Sequence, residues 1–268
     1  MKKDVKIGIT GASGVLGKIL LKQLGDQSIF TCFEGNIVNS EDVQNWIVAE
    51  KPDQIFHLAA LVAIKEVDSN PINGYKININ GMINLLSAIQ VSNTKPWVFF
   101  SSTSHVYKSS DRSITETSDI EPINTYGLTK YMAEKILIDF SGKYPINYCI
   151  GRIFSFYHDT QKEPFLYPTM MRRLSEHTDH KEPFIVYGAN NIRDISNAES
   201  IVEAIIRLSK VNAEGVFNLG VGHGVRIIDF VRSLTKRKLG FQEINSETPD
   251  VLVADVSKIN TLLKQYEQ

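Results

Sequence analysis

Cysteine is scarce in this chain: two residues in 268, Cys32 and Cys149, each inside an apolar run. That scarcity excludes a disulfide framework and points to buried, reduced thiols in a cytoplasmic protein. Charge imbalance is also lacking, because 29 Lys and Arg against 30 Asp and Glu leave a formal net charge of −1. A nucleic-acid footprint needs a basic surplus and is not expected. The one basic run, 232–238, falls near the end of an expected helix, where cations favour the helix dipole. No apolar stretch is long enough to span a bilayer, and the amino-terminal MKKDVKIGITGASG carries no signal-peptide core, so no membrane partner is expected. The six histidines and two cysteines show no metal-ligand spacing.

What the chain does contain is alternation. Apolar runs at 5–10, 29–33, 54–58, 97–101 and 146–150 read as strands, and several are nearly continuous, as in parallel strands covered on both faces. Between them, 14–24, 40–50, 75–91 and 125–141 read as helices, with Ser40-Glu41-Asp42 as an N-cap followed by acidic first-turn residues. The pattern predicts an α/β fold: a Rossmann-like, doubly wound parallel sheet with right-handed crossovers. After Arg152 the texture changes. Residues 155–195 are loop-rich and polar, with Pro164, Pro168 and Pro183, and helices at 198–210 and 227–238 flank a short strand at 216–219. The expected division is a dinucleotide-binding domain over 1–152, plus returning segments, and a smaller substrate-binding lobe over most of 153–268.

Thr10-Gly11-Ala12-Ser13-Gly14-Val15-Leu16-Gly17 follows the first strand and opens the first helix. Glycines at this spacing permit a tight turn and let the backbone approach a pyrophosphate, and the helix N-terminus supplies amide donors. An acidic residue usually ends the second strand to hold the adenosine ribose. Glu34 is the candidate, and no arginine stands nearby for a 2′-phosphate, so NAD and NADP both remain open. Tyr126 and Lys130 are four residues apart, hence on one helix face. A lysine cation beside a phenol lowers its pKa and fits it for proton transfer.

The residues quoted so far, together with others in the same order, give the chain a family likeness. The markers are His57-Leu58-Ala59-Ala60, Asn78-Ile79-Asn80-Gly81, Phe100-Ser101-Ser102-Thr103, Pro122-x-x-x-Tyr126-Gly127-x-x-Lys130, Arg152, Arg193-Asp194 and Phe217-Asn218-Leu219-Gly220. Over roughly residues 5–230 the chain resembles the extended short-chain dehydrogenase/reductases, the NAD-dependent epimerase/dehydratase group that modifies nucleotide sugars. The resemblance implies that Thr103 hydrogen-bonds the reacting substrate oxygen, Tyr126 transfers the proton, and Lys130 holds the nicotinamide ribose and keeps the tyrosine acidic. It implies a cofactor site, for NAD or NADP (NADH or NADPH), made of Gly11, Ala12, Ser13, Gly14, Val15, Leu16 and Gly17, with Asn36 and Ile37 near the adenine. Leu58, Ala59, Ala60, Leu61, Asn78, Ser101, Ser102, Ile153 and Phe154 complete it. The substrate side would include Ser104, His105, Ser155 and Arg193, the last reaching a nucleotide diphosphate. It also implies a homodimer through the helix bearing Tyr126.

Plainer roles stand beside these. Thr103 lies in a serine cluster that also fits a strand-end cap. His57 fits a satisfied core histidine, Asn78 and Asn80 fit local backbone partners, and Arg152 and Arg193 fit structural ion pairs as well as binding roles. The dehydratases of the group carry Asp-Glu after the catalytic Thr, whereas here the pair is Ser104-His105, which argues against water elimination. Ser155 stands where an asparagine is common, and Lys108 where a glycine is common. With its length and short loop after the second strand, the chain is similar to the nucleotide-sugar ketoreductases. A keto-sugar reductase is the leading expectation. An epimerase with retained cofactor is the second, and a non-catalytic nucleotide sensor the third.

Overall fold

Neighbouring apolar residues in the central strands point to opposite faces, and both faces are covered. The computed structural model describes residues 5–25, 28–178 and 181–266. The strands are Lys6–Thr10 (β1), Ile29–Cys32 (β2), Gln54–His57 (β3), Trp97–Thr103 (β4), Asn147–Ile153 (β5), Ser155–Tyr157 (β6), Phe184–Tyr187 (β7), Ile192–Arg193 (β8), Ile195–Asn197 (β9), Gly215–Leu219 (β10), Val225–Arg226 (β11), Phe241–Ile244 (β12) and Val251–Leu252 (β13). The helices are Val15–Leu24 (α1), Ser40–Glu50 (α2), Ile64–Ser69 (α3), Pro71–Tyr75 (α4), Gly81–Ser92 (α5), Thr125–Lys143 (α6), Leu166–Glu176 (α7), Ala198–Lys210 (α8), Ile227–Ser233 (α9) and Ser257–Gln265 (α10). No helix among the described residues is long and apolar enough to cross a membrane.

Six parallel strands form the main sheet in the order β10-β5-β4-β3-β1-β2. On one face Ile9, Phe56, Phe99 and Phe217 pack against Leu20 of α1, Ile205 of α8 and Leu263 of α10. On the other, Ile55, Val98, Phe100 and Ile150 pack against Ile47 of α2, Leu85 of α5 and Leu137 of α6. This is the Rossmann-like doubly wound sheet, and its strand order reverses at β1 and β3. Open α/β sheets bind ligands at the carboxyl ends of the strands at such a point. A third core, with Leu174, Phe184, Val186, Ile228 and Val231, holds α7, β7 and α9 together.

Two expected helices differ. The segment 75–91 is not one regular helix: a π-helical turn, Lys76–Asn80, separates α4 from α5 and turns Asn78 inward. Such bulges often mark functional sites. Helix α9 ends at Ser233, not at 238. Of the basic run only Arg232 stands in the helix's last turn, where it complements the dipole, and the rest lies beyond the helix. Arg237 leaves it to donate to the carbonyls of Leu174 (2.8 Å) and His177 (2.5 Å) at the end of α7, and Arg232 pairs with Glu243. Cys149 is buried, but Cys32, on edge strand β2, is only half-buried.

Candidate active site

The turn between β1 and α1 is shaped by contacts that only glycine permits. Gly11 has φ +75°, and a Cβ there would meet Ala59 N at 2.6 Å. A Cβ on Gly17 would meet Gly11 O at 2.3 Å. The turn thus presses against the segment after β3, and Gly14 caps α1 with no side-chain partner and no acidic residue in the first turn. The amides of that first turn are left for an anion, the cradle a dinucleotide pyrophosphate needs. Thr10 ties the turn to β3: its hydroxyl bonds His57 Nδ1 (2.8 Å) and accepts from Ala59 N (3.3 Å). His57 is fully buried, stacks on Phe100, and is pushed down to about 3 by burial and then by Lys130. It is a neutral core residue.

Asn78 fixes the next stretch. Its Oδ1 accepts from Leu61 N (2.8 Å), and its Nδ2 donates to Leu61 O (3.0 Å) and to Thr129 Oγ1 on α6 (2.9 Å). Both amide hydrogens are spent, so Asn78 holds the segment after β3 against α6. Downstream of β2, Phe33 N still bonds Ile9 O (2.8 Å), which places Glu34 two residues past the strand end. Burial and then the Glu34 charge push the Cys32 thiol up. Asn36 turns its amide to Asp42 (3.0 Å), while Ile37 packs into the core beneath α5.

A cleft of about 570 Å3 runs from the glycine turn across the strand ends, a volume in the range of small-molecule sites. Gly11, Gly14, Val15, Leu16 and Gly17 line one end with Leu58 and Ala60. Ser101, Ser102, Thr103, Ser104, His105, Tyr126, Ile153, Phe154 and Ser155 line the middle. Ala12, Ser13, Asn36, Ile37, Ala59, Leu61, Asn78, Lys130 and Arg193 do not line it. The far wall contains aromatic residues that sequence reasoning missed. Tyr157 stands 5.5 Å from Tyr167 and 5.9 Å from Phe230, ring centre to ring centre. Their only sequence signal is aromatic density in 154–167, and Phe230 comes from a distant helix. Among the described residues no cluster of three His, Cys, Asp or Glu is placed to hold a metal ion.

Tyr126, Lys130 and Glu134 follow at four-residue intervals on α6, and all three turn inward. Asn124 caps the helix, its Oδ1 accepting from Gly127 N (2.8 Å). A Cβ on Gly127 would meet the His105 carbonyl at 2.2 Å, so glycine lets α6 abut the turn after β4. That packing sets Tyr126 beside the hydroxyl of Thr103 at the end of β4, and both line the cleft. Against the expectation of an acidified phenol, the surroundings the polypeptide itself supplies act the other way. Burial pushes Tyr126 up to about 12, against a smaller lowering by the Thr103 hydroxyl. Burial also pulls Lys130 down to about 7, with Glu134 opposing. The ammonium stands 4.2 Å over the Phe100 ring. The polypeptide alone favours a neutral phenol and weakens the lysine cation meant to acidify it.

Glu134 was not anticipated. It is completely buried, accepts from Ser102 Oγ and is gripped by Arg152 through Nε (3.0 Å) and a terminal nitrogen (2.7 Å). Arg152 also lies 4.7 Å from the Tyr107 ring centre, so of its two readings the ion pair is the one realised. Arg193 donates to Asp250 Oδ2 (2.5 Å) and to the Asp250 carbonyl (2.6 Å). Asp194 accepts from three backbone amides, Val221, Gly222 and Ala254, and organises the loop after β10.

With that geometry in hand, comparison with known proteins is informative. A family model described as GDP-mannose 4,6 dehydratase matches residues 9–263. A UDP-glucose 4-epimerase of Lactobacillus helveticus is 30% identical over 86% of this chain and 77% of its own length. A GDP-6-deoxy-D-talose 4-dehydrogenase of Aggregatibacter actinomycetemcomitans is 27% identical over 97% of this chain and 91% of its own. Among solved structures, a dTDP-4-dehydrorhamnose reductase from Bacillus anthracis in complex with NADP superposes with a TM-score of 0.83 at 23% identity, covering 98% of this chain and 93% of that one.

Proposed function

This chain belongs to the family of the GDP-mannose 4,6 dehydratase model, within the epimerase/dehydratase group of the extended short-chain dehydrogenase/reductases, and from that premise we propose that it reduces the keto group of a nucleotide-activated deoxysugar, using NADH or NADPH. The observation that carries the proposal is the half-buried Tyr126 beside Thr103 on the cleft that begins at the glycine turn, its phenol pushed up to about 12. A phenol that keeps its proton is suited to give it to a carbonyl oxygen as that oxygen gains charge. The cradle at Gly11 and Gly17, which any Cβ would fill, and the uncapped start of α1 fit a dinucleotide.

A nicotinamide held by the glycine turn and Lys130 would supply hydride chemistry at this site. Thr103 polarises the carbonyl, Tyr126 donates the proton to its oxygen, and Lys130 steadies the cofactor ribose. Ser104, His105 and Ser155 bound the sugar. Arg193 meets the diphosphate by exchanging its bond to Asp250. Ser104-His105 offer no paired carboxylates for water elimination, which separates this reading from dehydration. The lobe after β5 carries the sugar and the sheet carries the cofactor. The protein works in the cytoplasm, as a homodimer through α6, where Met132 is exposed while Ile136 and Leu137 belong to the core.

A panel of nucleotide-4-keto-sugars, followed at the absorbance of NADH and NADPH separately, tests the reading. Stoichiometric consumption supports it. Interconversion of two sugars with no coenzyme consumed establishes the second reading, epimerisation, which the likeness to the 4-epimerase favours.

A further inference from the structure

His105 follows Thr103 by two residues, in the turn Ser104–Val106, and lines the cleft with its ring edge-on to Tyr126 at 6.0 Å between centres. Its Nδ1 lies 2.7 Å from Asn124 Nδ2. The orientation of that amide is not free. Asn124 Oδ1 faces Gly127 N at the helix cap, and a peptide N–H can only donate. The nitrogen of the amide therefore faces His105 Nδ1, which must accept. A neutral ring that accepts at Nδ1 carries its hydrogen on Nε2. The groups facing the ring are Asn124 and Tyr126 of α6, Arg193 of β8 and Asp250 of the loop before β13. Burial and then the Arg193 cation hold the ring down to about 4, so it stays uncharged near neutrality.

We propose that Asn124 is a positioning residue that locks His105 as a neutral Nε2–H donor, and that this donor binds an oxygen of the substrate beside Tyr126. The helix cap thereby sets the hydrogen-bonding polarity of the sugar site. The proposal rests on reading the cleft as a carbonyl-sugar site. Its core, the enforced tautomer, is independent of the substrate.

Asn124→Asp provides the test. Aspartate caps helices as well as asparagine does, but its second oxygen can only accept, so His105 must present Nδ1–H and lose the hydrogen on Nε2. Nitrogen-15 shifts of His105 in the protein are expected to show Nε2 protonated in the wild type and Nδ1 protonated in the variant. With dTDP-4-keto-6-deoxyglucose and reduced coenzyme at pH 8, the variant's kcat/KM is expected to fall about tenfold, mostly through KM, as for a lost neutral hydrogen bond. Activity should recover as the pH is lowered, because an imidazolium stabilised by the new carboxylate again carries both hydrogens. The wild type should show no such recovery. His105→Phe, which has no Nε2–H, should lose the bond and raise KM about tenfold, and His105→Gln, whose amide nitrogen replaces Nε2–H, should restore part of that loss. Wild-type shifts with Nδ1 protonated, or a variant with wild-type KM at every pH, overturn the proposal. A wild type that leaves both coenzymes untouched overturns the reading of the reaction instead, while the shifts still decide the tautomer.

Discussion

The two ends of the cleft are built differently. The glycine end is made by main chain: Gly11 lets the turn between β1 and α1 press on the segment after β3, Gly17 lets α1 close on the turn, and Thr10 fastens turn and segment. The catalytic end is made by side chains from separated elements. Thr103 comes from β4, Tyr126 and Lys130 from α6, and beneath them Glu134 joins Ser102 to Arg152 of β5. The difference teaches where each end is vulnerable. A backbone cradle fails when a side chain intrudes. A side-chain cluster fails when a buried polar group loses its partner.

Four changes would sharpen or break that contrast. The largest effect is expected from Tyr126→Phe, which removes the proton donor: turnover should fall about 10²–10⁴-fold while cofactor affinity, titrated by fluorescence, stays near wild type. Equal loss of both would mean that the two ends are not separable. Glu134→Ala leaves Arg152 buried without its carboxylate. A loss of about 3–5 kcal/mol in urea unfolding is expected, and a cofactor site that survives in the folded fraction. Gly11→Ala should do the reverse. It strains a left-handed backbone by about 1–3 kcal/mol and thrusts a methyl toward Ala59 N, so cofactor affinity falls before the fold does.

An effect confined to acid conditions lies in the pH dependence. His57 titrates ordinarily at 6.5 but at about 3 in the fold. Between those values the unfolded chain binds a proton that the folded chain does not. Stability from this group is complete above pH 6.5 and is lost as pH falls toward 3, at about 1.4 kcal/mol per pH unit. His57→Asn should flatten the acid limb of the stability curve by that slope, measured by denaturant midpoints at pH 6.5, 5.5 and 4.5. An unchanged slope would mean that His57 charges in place.

The same contrast explains what was legible in the sequence. The glycine turn is local, so eight consecutive residues announced it, and the alternation of apolar runs announced the sheet. The helices at 40–50 and 198–210 were read to their ends from their apolar spacing and the acidic first turn of 40–50, but the cap expected at Ser40 is Asn39, whose Oδ1 accepts from Glu41 N, and Asn197 caps the second helix in the same way. The partners of the catalytic end were less visible. Glu134 looks like any helix glutamate until β5 brings Arg152 beside it, although its four-residue spacing from Lys130 was a usable signal. The spacing of Tyr126 and Lys130 fixed their shared face but not the sign of the tyrosine's shift, since burial acts on both groups and is not written in the motif. Arg193 was visible as a cation, but its bond to Asp250, 57 residues away, was not.

The central claim is that a neutral Tyr126 gives its proton to a sugar carbonyl while a reduced nicotinamide gives the hydride. Its most direct test is label transfer: incubate the protein with a nucleotide-4-keto-sugar and NADH or NADPH deuterated at the reactive ring carbon, and weigh the product by mass spectrometry. The account predicts one deuteron fixed on carbon for each coenzyme oxidised, and almost none with Tyr126→Phe. Product that forms without label, or label transfer undiminished in Tyr126→Phe, would contradict it.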